Sequence, residues 1–216
     1  HYKFDNNLLD SSGNNHTITL NTGTKTHSEN GKINQDLDLD NTKYLIDYPA
    51  IHNFINGDDF TISFFHKLDT VISGNTVLLS KYDGDRNPRC GINIYIKGTT
   101  KLFIIERLRN GTGYMSAEWV RATSTTVFDT LNVWKHITIK CSSSQLEILV
   151  DGVSEDITAN STYWNKSSGG SGLGVGAHFG ADSNDVSSFM AATTASIGFI
   201  DDMRFYNKTL SSYEID

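Results

Sequence analysis

Residues 90–107 read CGINIYIKGTTKLFIIER and predict two antiparallel strands joined by a short turn. In the first half an isoleucine occupies every second position, which is the period of a strand with one buried face. The turn falls on residues 98–100, Gly-Thr-Thr, and a second apolar run follows at once. This stretch therefore indicates a β-hairpin with one side against a core.

Similar short runs recur along the whole chain and favour an all-β fold. In residues 59–67, DFTISFFHK, alternation places Phe60, Ile62 and Phe64 on one face, which we expect to be core. No long helical pattern is present, and turn residues separate the runs, as in an antiparallel β-sandwich of two packed sheets. Further predicted strands lie at 15–20, 76–82, 134–141, 145–150 and 196–206.

Composition limits the classes of partner. The chain has 216 residues and a net charge of −7, and we expect one domain over residues 1–216, excised from a longer protein because it begins with His1. An acidic chain without a Lys/Arg cluster argues against nucleic acid. No apolar run is long enough to span a bilayer, so we expect no membrane insertion. Cys90 and Cys141 have no metal-binding spacing and leave one bridge or two thiols open.

Residues 36–40 alternate aspartates with leucines. This pattern predicts that Leu37 and Leu39 are buried and that the carboxylates of Asp36, Asp38 and Asp40 point outward. Outward charge of this kind is typical of an edge or surface strand.

The two ends of the chain carry a family pattern. The sequence YKFDNNLLDSSGNNHTITL opens it at residues 2–20, and IGFIDDMRFYNKTLSSYEI closes it at 197–215. Between them, WKHITI at 134–139 continues the same order. The chain resembles the laminin-G-like jelly-roll domains of the concanavalin A-like lectin/glucanase superfamily. The resemblance implies that residues 2–9 lie beside 199–207 and that Trp134 packs structurally in the core.

Oxygen-bearing side chains crowd the first predicted turn, where Asp5, Asn7 and Asp10 lie close in sequence. Ca²⁺ takes six to eight hard oxygen ligands. If Met203 faces the core, alternation puts Asp201 on the same side, and a buried carboxylate needs a partner or a cation. Related domains often hold a structural Ca²⁺ where the two ends meet. The predicted ligands are Asp5, Asn7, Asp10 and Asp201, with the backbone carbonyls of His16 and Asp202.

Two readings compete with the calcium site. The sequence Asp-Ser-Ser-Gly at residues 10–13 also suits an Asx turn without metal. In that case Asp201 would be satisfied by hydrogen bonds or by an arginine. A melting temperature that responds to calcium would separate the two readings, because a ligand that binds only the native state raises stability.

Aromatic residues in predicted loops are candidates for sugar contact, since a flat ring covers the C–H face of a pyranose while polar groups bind its hydroxyls. The alternative is that these rings are loop anchors folded onto the sandwich. Arg121 and Glu118 are further polar candidates. The predicted carbohydrate-binding residues are Tyr114, Trp119, Tyr163, Trp164, Arg107 and His178.

Catalytic motifs are absent from the sequence. Glucanases of this superfamily carry their carboxylates on one strand as E-x-D-x-E, whereas the glutamates at 106, 118, 147, 155 and 214 are scattered here as single residues. The chain also lacks GxSxG, HExxH and P-loop patterns. We therefore expect that the protein is not an enzyme.

The sequence as a whole favours a non-catalytic, calcium-stabilised, lectin-like module that binds glycans on a cell or matrix surface. Its expected location is secreted, extracellular or on a virion surface. The alternative is a protein-interaction or adhesion domain, or a virion or tail-fibre attachment domain, whose partner is a surface protein. The sequence does not name the sugar.

Overall fold

Strands dominate the described part of this computed structural model. The structure describes residues 1–20, 26–39, 44–46, 59–83, 90–109, 118–159, 173–175 and 197–215. No helix within these ranges is long and apolar enough to cross a bilayer. The elements are β1 (Thr19–Leu20), β2 (Thr26–Ser28), β3 (Asp36–Asp38), β4 (Tyr44–Ile46), β5 (Phe60–Lys67), β6 (Thr76–Asp83), β7 (Cys90–Ile96), β8 (Leu102–Arg109), β9 (Glu118–Val127), β10 (Lys135–Cys141), β11 (Gln145–Val150), β12 (Val153–Ala159), β13 (Leu173–Val175), β14 (Phe199–Tyr206) and a 3-10 helix (Ser212–Glu214).

These strands form two antiparallel sheets. Within the described residues, the first sheet has the order β1-β4-β13-β6-β7-β8-β9 and the second has the order β12-β11-β10-β5-β14-β3-β2. The β7–β8 hairpin lies inside the first sheet, with Asn93 opposite Glu106. The predictions of an all-β sandwich of two sheets and of a hairpin at 90–107 are therefore confirmed.

The core lies between the two sheets. Phe60, Ile62 and Phe64 of β5 have no exposed surface, as their alternation predicts. The isoleucines of β7 are at most 1% exposed and face them from the first sheet. Phe103 of β8 approaches Phe64 with ring centroids 6.2 Å apart, so aromatic packing joins the sheets face to face.

The two ends of the chain meet in the second sheet. The backbone amide of Tyr2 donates to the carbonyl of Met203 at 2.8 Å, and the reverse bond measures 2.9 Å. The predicted adjacency of the terminal segments is thereby confirmed. Gly198 precedes β14 at a point where a Cβ atom would lie 2.3 Å from the Lys67 carbonyl oxygen, so only glycine fits there.

Carboxylates of β12 close one side of the sandwich. Asp156 accepts a hydrogen bond from the backbone amide of Thr123 in β9 at 2.7 Å. Glu155 accepts from the amides of Thr125 and Thr126 at 2.8 and 2.9 Å. These bonds, which we call the carboxylate seam, occupy backbone donors that an edge strand otherwise leaves open.

Two predictions about individual side chains are wrong. Asp36 has no exposed surface, because its carboxylate turns to Ser28 in β2 and accepts from the amide and hydroxyl at 3.1 and 3.0 Å. Leu37 is buried as expected. Trp134 was expected in the core, but it is half-buried and lies outside the described core. Its ring packs instead against the ammonium group of Lys67, which lies 4.5 Å from the ring centroid.

A small cavity lies beside a buried histidine of β5. His66 is 1% exposed and lines a cavity of about 120 Å³ together with Leu68, Val127 and Phe128. Burial, partly offset by the backbone of Ile197, lowers the pKa of His66 from 6.5 to about 4. The imidazole is therefore neutral in the native protein at neutral pH.

We expect His66 to make the protein less stable as the pH falls. Its native pKa of about 4 lies below the unfolded value of 6.5, so the unfolded chain takes up the proton first. The contribution is present above pH 6.5 and is lost on the way to pH 4, amounting to roughly 2–3 kcal/mol between pH 7.5 and 4.5. Denaturant unfolding of wild type and His66→Phe at both pH values measures it. An equal pH slope in the two proteins would contradict the assignment.

Candidate functional site

Three polar side chains meet on the outer face of the first sheet. Strand alternation sends Ile94 and Ile105 into the core, while Tyr95 and Glu106 face away from it. Glu106 Oε1 accepts hydrogen bonds from the Tyr95 hydroxyl at 3.0 Å and from Arg121 Nε at 2.7 Å. A second bond joins Arg121 Nη2 to the same oxygen. We call this arrangement the Tyr95–Glu106–Arg121 cluster.

The cluster presents a fixed guanidinium to solvent. Burial and the neighbouring carboxylate raise the pKa of Tyr95 to about 12, so its hydroxyl stays protonated and donates. The hydrogen bond to Glu106 raises the pKa of Arg121, which stays charged. Glu106 is 8% exposed, whereas 51% of the Arg121 side chain is accessible. The buried carboxylate thus positions an exposed donor group.

A second polar pair extends this face toward β6. Ser80 Oγ donates to Asn93 Oδ1 at 2.7 Å, and both residues are buried. Asn93 lies directly opposite Glu106 in the register of β7 and β8. Hydroxyl, amide, carboxylate and guanidinium groups therefore follow one another across four neighbouring strands. Within this row Arg121 is the group that reaches solvent, because Ser80 and Asn93 are buried and bonded to each other.

The predicted sugar-contacting aromatics have different outcomes. Trp119 lies in β9, paired with Leu108 and two residues from Arg121 along the strand. The prediction that Trp119 sits in a loop is wrong, because residues 118–127 form a full strand at the edge of the first sheet. Tyr114, Tyr163, Trp164 and His178 lie outside the described residues.

Arg107 lies inside the sandwich, so its predicted place at a sugar-binding surface is wrong. It shares the inward face of β8 with Phe103 and is 2% exposed. Its Nη1 donates to the Cys141 thiol at 2.6 Å, and its guanidinium lies 5.0 Å from the Phe60 ring centroid. Cys141 itself is fully buried in β10.

Sequence reasoning missed Tyr95 and Glu106 as functional candidates. The signal was present in the predicted hairpin, since pairing of 90–97 with 101–107 brings Asn93 beside Glu106. What was lacking was the third strand, because Arg121 reaches Glu106 only through the pairing of β8 with β9. Because β9 was not predicted from the sequence, the position of Arg121 beside Glu106 could not be predicted either.

A β-bulge in β14 changes the face on which Asp201 lies. The register with β5 shifts between Asp201 and Arg204, and Asp202 adopts the left-handed conformation with φ of 49°. Ile200 and Met203 consequently both face the core. The prediction that Met203 faces the core is confirmed. Asp201, the residue after Ile200, points to the other face of the sheet, so its predicted place on the core side is wrong.

Asp201 is nevertheless fully buried, beneath the segment before β3. Its Oδ2 accepts a hydrogen bond from the amide of Ile33 at 2.7 Å, and no described residue bonds to its Oδ1. Burial, together with the negative charges of Asp202 and Asp36, raises the pKa of Asp201 to about 6. At neutral pH this carboxylate is charged and lacks a compensating partner, which is the condition that favours a bound cation.

Asp5 reaches the same segment as Asp201. Its Oδ1 accepts from the amide of Gln35 at 3.3 Å, two residues beyond the amide that binds Asp201. The turn is closed by the bond from Gly31 N to the Asn34 carbonyl at 3.1 Å. The carboxylates of Asp5 and Asp201 therefore bracket one turn, and both fit the oxygen chemistry that Ca²⁺ selects.

Asp10 is occupied by the first turn of the chain. Its carboxylate accepts from the terminal amino group of His1 at 2.9 Å, from Ser12 N at 2.8 Å and from His16 N at 3.0 Å. Burial opposes ionisation, but these donors hold the pKa of Asp10 well below its usual range. The bonds to Ser12 are those of an Asx turn. The carbonyl of His16 in turn accepts from the Tyr2 hydroxyl.

Asp202 and Asn7 also have protein partners. Asp202 Oδ1 lies 2.6 Å from His1 Nε2, and its Oδ2 lies 2.7 Å from Arg204 Nη2. The side-chain oxygen Oδ1 of Asn7 accepts from Leu9 N at 2.9 Å. In the described part of the chain no group of three or more His, Cys, Asp or Glu side chains is arranged to hold a metal. The calcium site therefore stays a prediction, with Asp5 and Asp201 as its best-placed carboxylates.

Comparison with known sequences supports the same superfamily. A laminin-G family model of the concanavalin A-like lectin/glucanases superfamily matches residues 40–216. No curated protein sequence matches the chain.

Solved structures with this fold include several binding domains. Domain 4 of AbnA, an extracellular GH43 arabinanase from Geobacillus stearothermophilus solved with arabinotriose, is 18% identical with a TM-score of 0.70, over 99% of this chain and 94% of that one. The CBM40 of Ruminococcus gnavus IT-sialidase, bound to alpha2,3 sialyllactose, is 17% identical with a TM-score of 0.52, over 73% and 80%. The receptor binding domain of botulinum neurotoxin mosaic serotype C/D is 13% identical with a TM-score of 0.69; the match covers 99% of this chain and only 48% of the toxin domain.

Proposed function

The chain belongs to the laminin-G-like family of the concanavalin A-like lectin/glucanase superfamily, and from that premise we propose that it is a non-catalytic, lectin-like module that binds carbohydrate outside the cell. The observation that carries the proposal is the Tyr95–Glu106–Arg121 cluster on the outer face of the first sheet. One fold can carry many functions, so the proposed carbohydrate binding depends on this site.

The chemistry of the cluster suits sugar hydroxyls. Arg121 offers several N–H donors in a fixed plane, and Glu106 holds that plane in place. A donor group that is already oriented loses little entropy when a ligand binds. The neighbouring Trp119, two residues along the same strand, is the aromatic residue best placed in sequence to accompany Arg121.

Similar folds support glycan binding as the ligand class. The arabinanase domain was solved with arabinotriose and the sialidase domain with sialyllactose, so two structures with this architecture hold oligosaccharides. The arabinanase is also extracellular. By this likeness the present domain acts on a surface or in the extracellular space, where glycans are displayed.

Catalysis does not fit the cluster. Retaining glycosidases use two carboxyl groups about 5–5.5 Å apart. Among the described residues of the Tyr95–Glu106–Arg121 cluster, Glu106 is the one carboxylate, and its oxygen is bound by both Arg121 and Tyr95. A carboxylate held in this way anchors a neighbouring group rather than transferring a proton.

Calcium is proposed as a structural ion. The buried Oδ1 of Asp201, which has no described hydrogen-bond partner, supports this proposal, and Asp5 is the second carboxylate at the same turn. A bound Ca²⁺ would neutralise Asp201 and tie the first segment of the chain to β14. Asp201 belongs to the second sheet and the Tyr95–Glu106–Arg121 cluster to the first, so an ion bound at Asp201 would stabilise the fold without touching the sugar.

A glycan array probed with the purified domain tests the proposal. We expect binding to at least one oligosaccharide class, with arabino- and sialyl-oligosaccharides included on the array. The experiment is run with calcium and with chelator, and circular dichroism checks that the domain stays folded in both buffers. A blank array with folded protein in both buffers would reject carbohydrate binding and favour a protein partner.

A further inference from the structure

A cavity on the outer face of the second sheet has no part in the site described above. It measures about 200 Å³, and its walls include Ser63, Phe65, His136 and Arg204. Drug-sized ligands occupy about 300–1,000 Å³, so this cavity suits a smaller molecule. A liquid water takes about 30 Å³, so the space equals about seven waters, close to one sugar ring.

Among the described residues, Arg204, which lines the cavity, and Thr138, two strands away in the same cross-strand row, carry polar atoms without partners. Thr138, Ser63 and Arg204 are cross-strand neighbours in β10, β5 and β14. Ser63 Oγ is bound to His136 Nε2 at 2.7 Å. Within the described residues, however, Thr138 Oγ1 and Arg204 Nε are buried and have no hydrogen-bond partner. Buried polar groups are nearly always satisfied in native proteins, so two such atoms in one row point to a missing partner.

Two ion pairs lie around the cavity, and the Lys32 ammonium lies 5.7 Å from the centroid of the Phe65 ring. The Arg204 guanidinium pairs with Asp202 at 2.7 Å, and at the rim Glu214 pairs with Lys208. Burial lowers the pKa of His136, so its imidazole is neutral at neutral pH. A neutral molecule with hydroxyl groups gains from entering, because it can satisfy donors and acceptors together.

The same cavity has an apolar side. Phe65 stacks on His136 with ring centroids 4.6 Å apart, and Leu210 and Ile215 line the opposite wall of the cavity. A sugar ring has apolar C–H faces and polar hydroxyl edges, which match such a mixed lining. We propose that this cavity is a second ligand site that accepts one neutral hexose ring. This proposal does not depend on the first-sheet site.

Saturation-transfer NMR with the methyl glycosides of glucose, galactose and mannose tests the proposal. We expect weak, millimolar binding of at least one of them to the full chain. Arg204→Lys keeps a positive charge beside Asp202 but removes the buried Nε–H donor, so the affinity should fall about tenfold. Thr138→Val removes only the unpartnered hydroxyl, so we expect unchanged or higher stability without sugar and weaker sugar binding.

A variant of the first sheet separates the two sites. Arg121→Ala should leave the signal of the bound hexoside unchanged, since Arg121 lies on the other sheet. Three results would overturn the proposal. The first is the absence of saturation transfer from every glycoside, which would leave ordered water as the occupant. The second is equal affinity in wild type, Arg204→Lys and Thr138→Val. The third is loss of the signal in Arg121→Ala.

Discussion

Replacing Arg121 with alanine is expected to lower the affinity of the domain for its glycan about tenfold or more, since hydrogen bonds from charged groups contribute about 1.5–3 kcal/mol. The side chain is 51% exposed and makes no contribution to the described core, so the variant should fold normally. Isothermal titration with the strongest oligosaccharide from the array measures the change.

A lysine on the other sheet serves as the matched control. Lys135 forms an ion pair with Asp151 at 2.8 Å and is 31% exposed, so Lys135→Ala also removes one surface ion pair and one positive charge. We expect its glycan affinity to equal that of wild type. If Arg121→Ala also binds as tightly as wild type, the site assignment is wrong even where the array is positive.

Replacing Asp201 with asparagine should have opposite effects with and without calcium. Burial raises the pKa of Asp201 from 3.8 to about 6, so the stability that protonated Asp201 contributes below pH 3.8 is lost as the pH rises through 6. The charged carboxylate thus costs roughly 2–3 kcal/mol at pH 7.5 in chelator. Asparagine avoids this cost and can still accept the Ile33 bond, so Asp201→Asn should melt at a higher temperature than wild type in chelator.

Calcium should reverse that order. A ligand at one hundred times its Kd stabilises the native state by about 2.7 kcal/mol, and Asp201→Asn would lose most of this gain. Melting curves in excess calcium and in chelator measure the crossing. Asp151→Asn is the control, because Asp151 is exposed and paired with Lys135. Identical melting curves of the wild type in the two buffers would contradict the calcium proposal.

Local alternation predicted most of the core correctly, because the period of a strand is a property of the chain itself. Phe60, Ile62 and Phe64 are fully buried, and the hairpin at 90–107 has the expected faces. The bulge in β14 could not be predicted in this way. It inserts one residue beside Asp202, and from that point the parity of the strand changes.

Strand β9 escaped prediction for a physical reason. Its inward residues are Val120, Ala122 and Ser124, which are small or polar, so the apolar period is weak. The facing strand β12 is weak for the same reason, because Glu155 and Asp156 are directed to the backbone of β9. Edges closed by polar contacts leave no hydrophobic signature in a sequence.

Of the candidate site, the sequence predicted Arg121 as a polar partner but did not predict Tyr95 or Glu106. Sequence reasoning sought exposed aromatics in loops, whereas the structure brings Tyr95, Glu106 and Arg121 together from three strands. Arg107 illustrates the converse, since an arginine on the inward face of β8 contacts Cys141 in the interior. Which face a polar residue takes depends on pairing between distant segments, and one sequence does not record that pairing.

The carboxylate seam also governs how copies of this molecule behave when they are crowded. With the amides of Thr123, Thr125 and Thr126 already bound, that margin of the first sheet is a poor template for adding a strand from a neighbouring molecule. A neighbouring copy that approaches this edge therefore finds three of its amides already bound, so strand addition there would first have to break the carboxylate seam.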